Sequence, residues 1–407
     1  MRKIAATLVG IGWCAAQLLR AQPFATNDAN PAIELWMYPN APGDGRSSIP
    51  VFAYLTDASG EDARMGQSLV GWNTASLVPT SQTPTHYLIH RCRVTVTLKS
   101  GNIIYDPTHD QYQTYLTTDY PAYVPDADTG RPVELFGINY RNGYNISSFG
   151  QSSPFGDGAP GGRNAYPVSW STNGVYVDVS NNVGKTNVAF PPFEAWPFAV
   201  GQITNVTPGN PVPSGAKMFF DLDLNDPAVV TYLQDSLNAG QLNFGITSLH
   251  AVAGMGGPPV YPTFATHFGD DYSNPTRMEL EVTVIRDLDT DSDGLPDDWE
   301  DFYFGNLAQG ANDDPDGDGV NNLAEYLAGT NPTQAASVFR ILTTNQNVLH
   351  WPHLPSRPPT VEFSDDLTHW EVVTNAAIIY PTSLTAEWSD PSPSATNRFY
   401  RVRVPAP

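Results

Sequence analysis

The sequence predicts a mainly β protein: a large jelly-roll-like β-sandwich, an acidic connector carrying short helices, and a small C-terminal β-sandwich. Three observations carry that expectation. Short runs that alternate apolar and polar residues recur between clusters of Gly, Pro, Asn and Ser before residue 287 and again after residue 332. The stretch from Asp287 to Tyr326 contains no Lys, Arg or His and is crowded with Asp. Pro352, Pro355, Pro358 and Pro359 then punctuate the last block at spacings that suit strand ends and break helices.

Length and composition set the bounds. A chain of 407 residues is long for one domain, and an apolar fraction of 41% with nine Trp is enough to fill real cores. The net charge of -22 excludes nucleic acid and anionic membrane surfaces as natural partners, since both attract Lys and Arg. A divalent cation suits that charge better. At the N-terminus, Arg2 and Lys3 precede an apolar run from Ile4 to Ala16, and Leu19-Arg20-Ala21 offers a cleavage site, so residues 1–21 read as a signal peptide. The run is short for a bilayer, and no transmembrane segment is expected after cleavage. Cleavage would remove Cys14 and leave Cys92 alone, so the exported chain has no disulfide to stiffen it.

The large sandwich is expected over residues 30–286. In RCRVTVTL, Cys92, Val94, Val96 and Leu98 fall on one face of a strand while Arg91, Arg93, Thr95 and Thr97 fall on the other. Val175 to Val179 and Glu279 to Val284 alternate in the same way. One helix interrupts the pattern: Asp226 can cap it, Pro227 suits its first position, Val229, Val230, Leu233 and Leu237 line one face, and Gly240 can end it. The small sandwich is expected over residues 337–407, where Tyr400, Val402 and Val404 alternate with Phe399, Arg401 and Arg403.

The connector, residues 287–332, carries the chemistry. A calcium ion takes about six to eight oxygens, and a twelve-residue loop supplies them from positions 1, 3, 5, 7, 9 and 12 with Gly at 6 for the sharp turn. In DTDSDGLPDDWE those positions are Asp289, Asp291, Asp293, the Leu295 carbonyl, Asp297 acting through water, and Glu300 as the bidentate closing ligand, with Gly294 at the turn. In DPDGDGVNNLAE they are Asp314, Asp316, Asp318, the Val320 carbonyl, Asn322 and Glu325, with Gly319 at the turn. About two Ca2+ ions are therefore expected.

The flanks distinguish among calcium-binding arrangements. ELEVTVIRD before the first loop reads as a strand and GNLAQGAND before the second as a turn, so only the outgoing sides, Asp298 to Phe304 and Asn322 to Ala328, are helical, each stopped by Gly. Loop plus short helix, closed by GTNP at Gly329 to Pro332, resembles the thrombospondin type 3 repeats of bacterial secreted proteins, with the dockerins as near relatives. The C-terminal block, through VEFSDDLTHW and FYRVRV, resembles the small fibronectin-like modules that follow such repeats.

Enzyme signatures are weak. Gly-Lys-Thr within Val183 to Asn187 lacks the first glycine of a phosphate loop, since Val179 stands there. His86 with His90, and His350 with His353, lack the intervening Glu of a zinc protease and lie in strands. Cys92 sits on an inward face, where it packs as a small hydrophobe. Asp221, Asp223, Asp270, Asp271, Glu279 and Glu281 could supply a glycosidase pair only if the fold brought two of them together across a sugar. No catalytic residue and no organic cofactor is assigned. Aromatics in Pro191 to Phe198 and Gln111 to Val124 are candidates for stacking on a pyranose. The sequence thus predicts a secreted or cell-surface calcium-binding modular protein, structural or adhesive, with a calcium-stiffened connector and an extracellular glycan or cell-surface component as partner. The second reading is a carbohydrate-binding or polysaccharide-degrading extracellular enzyme.

Overall fold

The computed structural model describes residues 24–28, 30–39, 45–54, 63–82, 86–116, 118–156, 161–170, 175–181, 194–252, 260–268, 276–345, 348–352, 359–373, 378–382, 385–390 and 398–404. The expected signal peptide, Val183 to Asn187, Asp270, Asp271 and His353 lie outside these residues.

The large unit is a β-sandwich of antiparallel sheets. Its strands are β1 (Phe24–Asp28), β2 (Ile33–Met37), β3 (Ser48–Pro50), β4 (Phe52–Tyr54), β5 (Ala63–Asn73), β6 (Tyr87–Thr97), β7 (Val133–Tyr140), β8 (Ala165–Trp170), β9 (Tyr176–Asp178), β10 (Ala199–Val200), β11 (Lys217–Asp221), β12 (Gln241–Ser248), β13 (Thr263–Ala265) and β14 (Arg277–Val284). One sheet has the order β1-β14-β6-β11, a second runs β2-β5-β12-β7-β8-β9 with β4 and β10 attached, and β13 and β3 form a two-stranded piece. β1 pairs with β14 from Phe24 onward, so the sandwich begins before the expected start at residue 30.

Period-two patterning explains why these sheets pack. Cys92, Val94 and Val96 of β6 and Met278, Leu280 and Val282 of β14 enter one core with Val70, Trp72, Leu242, Phe244 and Ile246 from the facing sheet. Each fully buried large side chain contributes roughly 1.5 to 3 kcal/mol. The outward residues of β6 and its neighbours pair across strands instead: Arg93 forks Asp221, and Arg91 meets Glu279 at 2.8 Å. Two of the carboxylates weighed for sugar hydrolysis are thus engaged in surface ion pairs. The second sheet is covered on its far side as well, where Ile33, Leu35, Met37, Leu69 and Ile138 pack with Phe149 and Phe155.

Helix α1 (Pro227–Asn238) forms where Asp226 accepts a hydrogen bond from the Ala228 N–H and Pro227 fills the first position. Val229, Leu233 and Leu237 are buried in the main core, while Val230 is half-buried. Beyond β14 come α2 (Asp297–Phe304) and α3 (Asn322–Ala328), each ended by a left-handed Gly, Gly305 and Gly329. Helix α2 starts one residue before the expected position, with Asp297, Asp298 and Glu300 in its first turn, where the helix dipole favours acidic groups.

The C-terminal unit is a small sandwich. Strands β15 (Leu342–Asn345), β16 (Val348–Pro352), β17 (Thr360–Ser364), β18 (Glu371–Val372), β19 (Ile379–Thr382), β20 (Thr385–Ser389) and β21 (Phe399–Arg403) form sheets β15-β16-β20-β19 and β18-β17-β21. Leu349, Trp351, Val361, Ala386 and Trp388 make its core. Among the described residues, no helix is long and apolar enough to cross a membrane.

Candidate metal centre

The connector begins where β14 ends. The Ile285 N–H donates to the His86 carbonyl at 2.8 Å, and the Arg286 guanidinium grips Asp298 through Nε at 2.8 Å and a terminal nitrogen at 2.7 Å. A shared small core follows. Leu295, Trp299, Ala311 and Ile285 are buried together, and Leu88, Tyr303, Phe304, Leu323 and Tyr326 pack against them. The connector therefore folds onto the large sandwich through apolar contacts and one charged fork.

The two loops repeat one geometry. In the first, the Gly294 N–H donates to Asp289 at 3.0 Å and the Leu295 N–H to Asp293 at 2.9 Å. In the second, the Gly319 N–H donates to Asp314 at 2.9 Å and the Val320 N–H to Asp318 at 2.8 Å. Gly294 and Gly319 adopt φ of +99° and +92°, a region that a side chain would strain, so position 6 needs Gly in both. These bonds wind the chain around a centre. One oxygen each from Asp289, Asp291 and Asp293 falls within 4.8 Å of the other two, and the same holds for Asp314, Asp316 and Asp318.

The twelfth residues are the most informative. Glu300 is fully buried, and neither of its carboxylate oxygens has a hydrogen-bond partner. Glu325 is also fully buried; Oε1 accepts from the Thr330 hydroxyl at 3.1 Å while Oε2 has no partner. Asp316 Oδ2, Asp318 Oδ2 and Asn322 Oδ1 are likewise buried without partners. Burial, then the charges of Asp291, Asp293, Asp297 and Asp289, push the Glu300 carboxyl up to about 8. Burial pushes Glu325 up to about 7, with Asp316, Asp318 and Asp314 adding to it and the Thr330 bond opposing it. An orphaned buried carboxylate is costly, and a hard cation in the ring would satisfy these oxygens together.

The remaining expected ligands are placed as follows. Asp297 is buried, and its two oxygens accept from the Thr290 N–H at 2.7 Å and the Thr290 hydroxyl at 2.5 Å, which ties α2 to the loop's second residue. Asn322 donates through Nδ2 to the Gly310 carbonyl at 2.9 Å, leaving Oδ1 free for the second ring. Leu295 is fully buried and anchors the loop by its side chain, while Val320 is half-buried.

Two elements of this centre escaped the sequence reading. Arg286 lies one residue outside the cation-free stretch and supplies its missing counter-charge for Asp298. Arg340, at the entry to the small sandwich, donates to the Asp318 carbonyl at 2.7 Å and so links the second loop to the last unit. The other candidates stay apart. His90 is exposed and lies over Phe302 with ring centroids 4.6 Å apart, and Cys92 is fully enclosed, its thiol pushed up to about 12 by burial and by Asp221. No family model matches the chain, and no curated protein resembles it significantly.

Proposed function

We propose that this is an exported, non-catalytic calcium-binding modular protein, structural or adhesive in role, whose paired loops act as thrombospondin type 3-like repeats between two sandwiches. The observation that carries the reading is the pair of buried Glu300 and Glu325 carboxylates, each with unpartnered oxygen at position 12 of a matching loop. Calcium is favoured over magnesium because each loop offers three clustered Asp carboxylates and a buried Glu with unpartnered oxygen at position 12. Magnesium prefers a tight octahedron, uses one or two carboxylates and gives up water reluctantly. The entering strand β14 before the first loop, and the non-helical residues 305–313 between α2 and the second loop, favour loop-plus-outgoing-helix repeats over paired-helix hands. Isothermal titration of the whole chain with calcium tests it: about two connector sites are expected, at affinities of about 0.1 to 1 mM typical of extracellular modules. Absence of calcium binding, or equal binding of magnesium, would sink the assignment.

A second reading, engagement of glycan by the large sandwich, is favoured by Trp196. Its indole is 57% exposed and lies against the His109 ring at 4.6 Å, beside Glu194. A flat exposed ring next to polar groups suits a pyranose face. A glycan array should then show binding that Trp196→Ala removes.

A further inference from the structure

A third cluster of acidic residues lies in the large sandwich, far from the connector in sequence. Asp106 and Asp110 come from the turn after the short strand-like segment ending at Tyr105, and Asp128 comes from the DADTG turn. One carboxylate oxygen from each lies within 4.8 Å of the other two. Two oxygens on opposite sides of a calcium ion, each at about 2.4 Å, would be about 4.8 Å apart, so the separation fits one coordination sphere.

Clustering alone would be unremarkable at a surface, but Asp106 is not at one. It is 4% exposed, and its Oδ2 is buried without a hydrogen-bond partner. Its Oδ1 accepts from the Thr108 N–H at 2.9 Å and lies 2.6 Å from the Thr108 hydroxyl. That hydroxyl is also 2.9 Å from Asp128 Oδ2. A hydroxyl has one proton, so it can satisfy only one of these two carboxylates at a time. The other is left facing lone pairs.

Charge is short as well. Arg131 reaches Asp110 at 2.7 Å and Asp126 at 2.8 Å, and Tyr115 also donates to Asp110. Among the described residues no Lys, Arg or His forms an ion pair with Asp106 or Asp128. The backbone is shaped for close approach too. Gly130 has φ +122°, and a Cβ there would lie 2.9 Å from the Asp106 Cβ, so only Gly lets this turn seat against that carboxylate.

We propose that Asp106, Asp110 and Asp128 hold a third calcium ion, which pins the turn around Asp106 to the turn around Asp128. Three carboxylates on one ion exceed the one or two that magnesium usually takes, and exposed Asp128 leaves room for water to complete the sphere. The site is independent of the connector loops.

The test is calcium binding by equilibrium dialysis on the full chain and its variants. Wild type should bind three ions. Glu300→Gln with Glu325→Gln should leave one, and adding Asp128→Asn should weaken that ion by at least about tenfold. Asp128 is exposed, so its change should leave the circular dichroism spectrum and the unfolding midpoint in chelator unaltered. Asp106→Asn is the second variant and should act alike. A double Glu variant that keeps the native spectrum but binds no calcium overturns the proposal, as does a residual ion indifferent to both Asp changes. If the Glu changes leave stoichiometry untouched, the connector assignment fails. The third site is then judged separately by whether Asp128→Asn alone removes one ion.

Discussion

Glu300→Gln should reverse its effect on stability with calcium. The carboxyl of Glu300 is enclosed, has no hydrogen-bond partner and is pushed up to about 8 by burial and by the neighbouring Asp charges. In chelator at pH 7 the folded protein therefore retains a proton on Glu300 that the unfolded chain, with its ordinary carboxyl, releases. For an acid raised in this way, stability falls as pH rises from the ordinary carboxylate range toward about 8. Gln carries no such group, so in chelator the variant should be at least as stable as wild type and should lack that pH-dependent loss. Calcium inverts the order. A ligand that binds only the folded state adds RT ln(1 + [L]/Kd), so about 10 mM calcium on a site of about 0.1 to 1 mM adds about 1.4 to 2.7 kcal/mol. For a unit of this size that is a midpoint shift of about 3 to 10 °C per site. Gln keeps the shape but loses the charge of the closing ligand, so this increment should vanish for the first loop. Scanning calorimetry of both proteins, in chelator and in calcium, measures all four states. Equal calcium-induced shifts in wild type and variant would refute the reasoning, because Glu300 would then not be a ligand.

Further outcomes follow from other buried groups. Burial, and then Arg131, push His250 down to about 4, so folding keeps it neutral while the unfolded imidazole protonates below about 6.5; stability is lost as pH falls through that window, and His250→Asn should spare about 1 kcal/mol of the loss between about pH 6 and 5. Identical pH profiles of unfolding in the two proteins would count against it. The Cys92 thiol, enclosed and pushed up to about 12, should resist a thiol reagent at about pH 8 until denaturant is added; labelling of the native protein beyond that of Cys92→Ala would contradict its burial. Removing calcium should broaden the small-angle scattering distance distribution of the whole chain, and an unchanged distribution would show that the connector's stiffness does not depend on the ion.

Much of the fold was legible because it depends on local periodicity. The buried face of β6, the cap and core face of α1 and the two Gly-terminated connector helices all follow from spacing within one segment. The proposed loop ligands can be named from sequence for the same reason, since they lie within twelve consecutive residues. What spacing could not reveal is anything assembled from distant turns. Asp106 and Asp128 are separated by a short 3-10 helix (Tyr112–Tyr115) and several turns; Asp106 alone reads as the acceptor of an ordinary Asx turn, and Asp128 as the residue whose N–H closes the Asx turn of Asp126. The network of buried Arg64 and Glu134 with half-buried His109 and Glu194 is drawn from four separate segments and has no sequence signature at all. Strand β1 lies before residue 30 and is hard to read from sequence because FATND is a mostly exposed edge strand with little apolar alternation to mark it.

The contacts of the two loops differ, and under the calcium proposal that difference locates the expected loosening. The first loop is bound to the large sandwich twice over, by the Arg286 fork on Asp298 and by Ile285 and Leu88 in the shared core. Those contacts need no ion, so the first loop keeps its attachment when carboxylates are left uncompensated. The second loop touches the last unit through the Arg340 bond to the Asp318 carbonyl, and Asp318 also contributes an unpartnered carboxylate oxygen to the ring. Backbone and side chain of one residue thus face the small sandwich and the centre of the ring at once. A cation that fixes the Asp318 side chain fixes the carbonyl that Arg340 reads, whereas repulsion among Asp314, Asp316 and Asp318 displaces both together. The expected calcium-dependent loosening therefore belongs to the joint between the second loop and the small sandwich, with the first loop remaining part of the large one.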